Sequence, residues 1–108
     1  MSKATYWQRG ESLDYKNSGS VVIEANSVID LGTRIGIAGT DINPNETGSV
    51  HVTGVYEFEK TGTGAIDMGA AVYFDGTGIT TASSGTPAGY AAAAAEASAA
   101  VVLVKLLG

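Results

Sequence analysis

Apolar and polar residues alternate most cleanly along SVHVTGVYEFEK, Ser49 to Lys60. Val50, Val52, Gly54, Tyr56 and Phe58 fall on one side of an extended chain, with His51, Thr53, Val55, Glu57 and Glu59 on the other. A period of two predicts one half-buried β-strand through the whole stretch. Shorter runs rich in β-branched and aromatic residues repeat the theme: Ser20 to Ala25, Thr33 to Gly39, Ala70 to Asp75 and Gly78 to Ala82. Turn formers bound them, and YFDGTGITT predicts a hairpin around Asp75-Gly76, where a glycine can take positive φ. Many short strands at close spacing predict an all-β fold, a small antiparallel barrel or sandwich. Neither an internal repeat nor a linker stands out, so one domain is expected over residues 10–108.

Two apolar features ask for partners. VVLVKLL, Val101 to Leu107, is apolar on both faces: Val102, Val104 and Leu106 on one, Val101, Leu103 and Leu107 on the other. An antiparallel strand in a small domain usually keeps one face wet. This one is expected to be central in its sheet or to sit at a subunit interface. Tyr6 and Trp7, with Arg9, lie in an otherwise polar N-terminal arm, residues 1–9, ahead of the first strand signal. Aromatic and arginine anchors are enriched at interfaces. The candidate contact residues are therefore Tyr6, Trp7, Arg9, Val101, Leu103 and Leu107.

The length of 108 residues fits one modest core, and a hydrophobic share of 44% argues for order. Fifteen glycines against two prolines read as turns between short elements. The net charge of −5 changes the functional picture more. Lys3, Arg9, Lys16, Arg34, Lys60 and Lys105 are scattered singly, without the basic patch that gripping phosphates requires. Nucleic acid is not an expected partner. The chain has no cysteine and hence no disulfide. Its first residues are polar where a signal peptide would be apolar. Glu96 and Lys105 interrupt the only long apolar run, so no membrane span is expected and the protein should be soluble.

Candidate chemistry does not assemble. DINPNETG places Asp41, Asn43 and Asn45 as a calcium loop begins, but Glu46 stands where that loop needs glycine and Val52 where it needs glutamate. An Asx-rich turn accounts for the same residues. GTGTGAIDMGAA fails as a dinucleotide fingerprint at Asp67 and as a P-loop at Ala70 and Ala71. It reads as a loop. His51, the only histidine, is expected outward on its strand with no second ligand. Glu57 and Glu59 share a strand face, which their role as solvated charges explains. No catalytic, metal-binding or cofactor-binding residue is assigned, and an enzyme is not expected.

Taken in order, GESLDY (Gly10 to Tyr15), VIDLGTRIGIAGTDINPNETGSVHVTGVYEFEK (Val28 to Lys60), AIDMGAAVYFD (Ala65 to Asp75), ITT (Ile79 to Thr81), AGYAAAAA (Ala88 to Ala95) and VVLVKL (Val101 to Leu106) carry a resemblance. The succession resembles the small capsid cement, or decoration, proteins of tailed bacteriophages and prophages, from about Gln8 onward. The order and spacing of the segments carry the likeness rather than any single motif. One departure is the EASAA segment, where an acidic or Gly-Asp turn is common in the family. The resemblance implies a β-tulip-like module on the outer surface of an icosahedral head, a virion protein made in the host cytoplasm. It further implies homotrimers that bind the major capsid protein and stabilise the shell. A carbohydrate- or host-surface-binding adhesion module on the same fold is the rival reading, and a rim of exposed aromatics would favour it.

The resemblance also bears on AAAAAEASAA. Alone it reads as a helix, because alanine has the highest propensity and Thr86-Pro87 could start one. The family resemblance tips the reading to a strand over Pro87 to Ala95, a turn at Glu96 to Ser98, and a returning strand over Ala99 to Leu107.

Overall fold

The long alternating stretch from Ser49 to Lys60 is not one strand but two, and they join different sheets. The computed structural model describes residues 2–6 and 8–107. Among them β4 (Thr47–His51) ends before β5 (Val55–Glu59) begins. Gly54, in the link, has φ of 110°, a conformation that glycine adopts without a Cβ clash. Its carbonyl accepts from Leu106 N at 2.9 Å, and Val52 N donates to the Glu11 carbonyl at 3.0 Å. The break therefore leaves these backbone groups paired. The expected facing survives it: Val50, Val52 and Phe58 are buried, whereas Val55, Glu57 and Glu59 are exposed. Alternation reports which side a residue faces, not which sheet its strand joins.

Nine strands and no helix form among the described residues. β1 (Ser12–Lys16), β2 (Val28–Asp30), β3 (Ile35–Ala38) and β4 make one sheet in the order β1-β4-β3-β2. β5, β6 (Ala71–Phe74), β7 (Ile79–Thr80), β8 (Thr86–Ala91) and β9 (Val101–Leu106) make the other, in the order β5-β9-β8-β6-β7. All strand pairs are antiparallel. The sandwich is the form adopted, and no barrel closes. A parallel bridge between Lys60 and Ile79 ties β7 to the end of β5, but one bridge does not make a ladder.

Ser20 to Ala25, expected as a strand, is corrected to a loop with a single bridge, Ile23 to Ile42. The hairpin around Asp75-Gly76 does form, pairing Tyr73 with Thr80 and Phe74 with Ile79. Gly76 has φ of 97°. The alanine run forms no helix, as the family resemblance implied, but the strand leading into it spans Thr86–Ala91 rather than reaching Ala95, and the returning strand spans Val101–Leu106 rather than Ala99 to Leu107. Ala95 then makes one bridge to Ile66, and Ala99 N donates to the Glu96 carbonyl at 3.0 Å in the turn before β9. Pairing of Gly89, Tyr90 and Ala91 with Leu106, Lys105 and Val104 overrides the local helix preference. At Gly89 the Lys105 carbonyl occupies the place of a Cβ, so only glycine admits this approach.

The two sheets repeat one plan, which corrects the expectation that the chain holds no internal repeat. β1, β2, β3 and β4 correspond to β5, β6, β8 and β9 in order and register. Leu13 lies opposite Val50 and Val50 opposite Ala38, as Tyr56 lies opposite Val104 and Val104 opposite Ala91. Ile29 faces Gly36 as Val72 faces Gly89. The bridge Ile23 to Ile42 matches Ile66 to Ala95. Asn26 N donates to the Ala38 carbonyl at 2.8 Å and Ala38 N to the Ser27 carbonyl at 2.9 Å. In the second sheet Gly69 N donates to Ala91 at 2.8 Å and Ala91 N to Ala70 at 2.9 Å. β7 and its loops are an insertion in the second copy. Few aligned positions keep their residue, among them Ile23 with Ile66 and Gly36 with Gly89. That is why the repeat is hidden in the sequence.

The copies pack head to tail. Each sheet has an alanine face, carrying Ala38 or Ala91, and a reverse face. Ile35 and Ile37, on the reverse face of the first sheet, are buried in one cluster with Phe58, Val102 and Val104 from the alanine face of the second. Val28 and Tyr56 pack at its edge, and Thr86 Oγ1 donates to Asp30 Oδ2 at 2.8 Å between the sheets. Complete burial stabilises by ~1.5–3 kcal/mol for each such aliphatic side chain, so this cluster dominates the fold. A smaller cluster of Ile29, Ala38 and Val50, flanked by Tyr15, Ile23 and Leu31, lies on the alanine face of the first sheet.

Candidate docking surface

Among the described residues, the reverse face of the second sheet leaves several apolar side chains exposed. Cross-strand pairing builds it in rows: Val55, Lys105 and Tyr90 in one, Glu57 and Leu103 in the next, Glu59 and Val101 in the third. Val55 is 53% exposed, Tyr90 48%, Val101 43% and Leu103 40%. The alternation that buries Val102, Val104 and Leu106 turns Val101 and Leu103 outward. β9 is also interior to its sheet, between β5 and β8. Leu107 follows β9 and is half exposed. Exposed apolar side chains bordered by acidic ones mark a surface suited to another protein.

The other expected contact residues lie elsewhere. Tyr6 is exposed, as is Arg9, and neither is in a strand. Trp7 lies outside the described residues. Sequence reasoning missed Val55 and Tyr90. Val55 was legible as the one aliphatic residue among the polar positions of its strand, whereas Tyr90 was hidden in the alanine run.

The segments weighed for chemistry have structural roles. Asp41 Oδ1 accepts from Ala25 N at 2.8 Å, and Asn45 has φ of 69° in the turn ahead of β4. The glycine-rich segment holds the turn in which Ala70 N donates to the Asp67 carbonyl. His51, expected at the surface, is half buried, because its imidazole lies against Gly39. Glu57 and Glu59 are exposed, and Leu103 and Val101 lie opposite them. Among the described residues no three His, Cys, Asp or Glu side chains come together as a metal site. Nor is any helix there long and apolar enough to cross a membrane.

Asp75 has a displaced titration. The N–H groups of Gly78 and then Thr77 hold its carboxyl below the usual 3.8. Both donate to Asp75 Oδ1 at 2.9 Å, which makes this a turn-forming carboxylate.

Comparison with curated proteins and with solved structures gives no match. A family profile described as phage cement protein matches residues 7–106, from the end of the N-terminal arm through β9. With nearly the whole chain aligned to that profile, the chain belongs to the phage cement protein family.

Proposed function

We propose that this protein decorates the outside of an icosahedral phage head and stabilises it by binding the major capsid protein, as a homotrimer. The family match over residues 7–106 carries this reading, because cement proteins are capsid-associated structural proteins. The physical mechanism is linkage. A subunit that binds the expanded shell in preference to other states stabilises that shell by mass action, and many modest contacts add up. The net charge of −5 and the exposed apolar rows of the second sheet support a role in protein contact rather than in holding DNA.

The N-terminal arm, with Tyr6, Trp7 and Arg9, is our assignment for a shell or inter-subunit contact. Residues 2–6, 8 and 9 are exposed and outside any strand, so their removal takes nothing from either sheet. Deleting residues 1–9 is expected to lower occupancy on isolated heads while the circular dichroism of the β-domain stays unchanged. Full occupancy by the truncated protein would refute the assignment. Electron microscopy of heads with and without the protein tests the decoration itself, by whether protrusions appear at the three-fold positions.

A further inference from the structure

We infer that copies of this chain assemble head to tail, the reverse face of the second sheet in one copy docking on the alanine face of the first sheet in the next. The contact would reproduce between chains the packing already made within each chain. This deepens the self-association in the reading above, while capsid binding is a separate property with its own test.

The argument starts from the two sheets as copies. Inside the chain, the reverse face of the first sheet covers the alanine face of the second. Two surfaces remain that are only partly covered, and they are the complementary pair: the β1 side of the alanine face of the first sheet, whose centre (Ile29, Ala38 and Val50) is buried against Tyr15, Ile23 and Leu31 of its own half, and the reverse face of the second. Corresponding residues show what each lacks. Ile37 in β3 is 4% exposed, whereas Tyr90, its counterpart in β8, is 48% exposed. Phe58 in β5 is 6% exposed, whereas its counterpart Tyr15 is only half buried. Tyr56 is half buried at the contact between the sheets, whereas its counterpart Leu13 is 41% exposed. In these three pairs the uncovered position has a more buried twin.

The leftover surfaces also suit each other in kind. Tyr15, Val22, Ile23 and Ile29, together with Glu24 and Asp30, line a groove beside β2 of the first sheet, as Tyr56 and Phe58 line the cleft that receives Val28 and Ile37. Tyr90 and Ala71 stand where Ile37 and Val28 stand, with Val55 and Leu103 beside them. Two unlike faces that meet head to tail form a heterologous interface, which closes into a ring when the rotation permits. A homotrimer built this way is a ring of six sheets, two from each copy.

The test uses the full chain with two exposed-site variants, Leu103→Glu on one face and Leu13→Glu on the other, followed by analytical ultracentrifugation. The wild type is expected to sediment as a closed oligomer and each variant as a monomer with unchanged circular dichroism. An equimolar mixture of the two variants is expected to give a heterodimer, because it retains one intact pair of faces. If Leu13→Glu alters the fold, Val22→Glu, in the groove that Tyr15 lines, takes its place, and Tyr90→Glu likewise for Leu103→Glu. A monomeric wild type, an oligomer retained by either folded variant, or a mixture that stays monomeric would each overturn the proposal. Self-pairing of the second sheet would show as dimers of Leu13→Glu alone, which also overturns it. Wild-type occupancy on isolated heads is measured separately. Normal occupancy with failed head-to-tail assembly leaves the decoration reading standing, and lost occupancy with intact assembly does the reverse.

Discussion

Asn17 and Lys60 occupy the same station in the two halves of the chain, and each ties the end of its strand into the loops. Asn17 N donates to the Glu46 carbonyl and Lys60 N to the Ala100 carbonyl, both at 2.9 Å. Asn17 Nδ2 donates to the carbonyls of Val21 at 2.8 Å and Ile42 at 2.9 Å, while its Oδ1 accepts from Gly19 N at 3.0 Å. Lys60 Nζ reaches the Ala97 carbonyl at 3.1 Å, in exposed surroundings. The station is the same, but only one occupant is buried.

Asn17 is 3% exposed, so Asn17→Ala strands backbone partners away from water. The expected loss is about 1–3 kcal/mol. Lys60→Ala leaves groups that water can reach, and its cost is expected to stay under about 1 kcal/mol. Urea midpoints of the two variants, at equal slope, measure the difference.

Gly36 and Gly89 form a second matched pair. A Cβ at Gly36 meets the Val50 side chain, with the His51 carbonyl 3.1 Å away, whereas one at Gly89 meets the fixed Lys105 carbonyl head on, with φ at 144°. Gly89→Ala is expected to cost about 1–3 kcal/mol or more through strain and overpacking. Gly36→Ala should cost less, since its backbone is not in the positive-φ region and its closest neighbour is a side chain rather than backbone. Thermal unfolding of both variants decides the order.

Asp75 sets a pH dependence. Its folded carboxyl titrates below 3.8, so ionised Asp75 contributes stability that is present above the unfolded value and lost as pH falls through the folded one. The loss is confined to pH below about 4. Asp75→Asn keeps an acceptor oxygen but removes the titration. Its unfolding free energy should therefore vary less with pH in that window, measured by urea unfolding at successive pH values.

Val104 and Val101 lie on opposite faces of β9. Val104 is fully buried, so Val104→Ala is expected to cost about 2 kcal/mol from lost transfer energy and the cavity left behind. Val101 is 43% exposed, and Val101→Ala should change monomer stability by less than about 0.5 kcal/mol. Chemical denaturation of the two variants provides the comparison.

Facing was more legible than connectivity. The alternation of Val50, Val52, Tyr56 and Phe58 told which side is dry, because a period of two is a local property. It could not show that Gly54 turns the chain into another sheet, since that depends on bonds to residues as remote as Leu106. β1 and β2 escaped notice because SLDYK and VID are short and mixed, and their partners β4 and β3 stabilise them. The alanine run forms no helix because its start pairs with β9 at Ala91 and the rest bends and turns back toward β9. The repeat was unreadable because backbone register preserves it and side chains do not.

The chain crosses from one sheet to the other only at the Val52–Gly54 link, so all strands of the first sheet precede all strands of the second. On the ribosome, where synthesis runs at ~5–20 residues per second, the first sheet can pair before the second exists. Val28, Ile35 and Ile37 then wait uncovered until β9 emerges to complete the sheet that buries them. For those seconds the nascent chain presents a sticky half-core, and translation speed through its second half sets how long that hazard lasts.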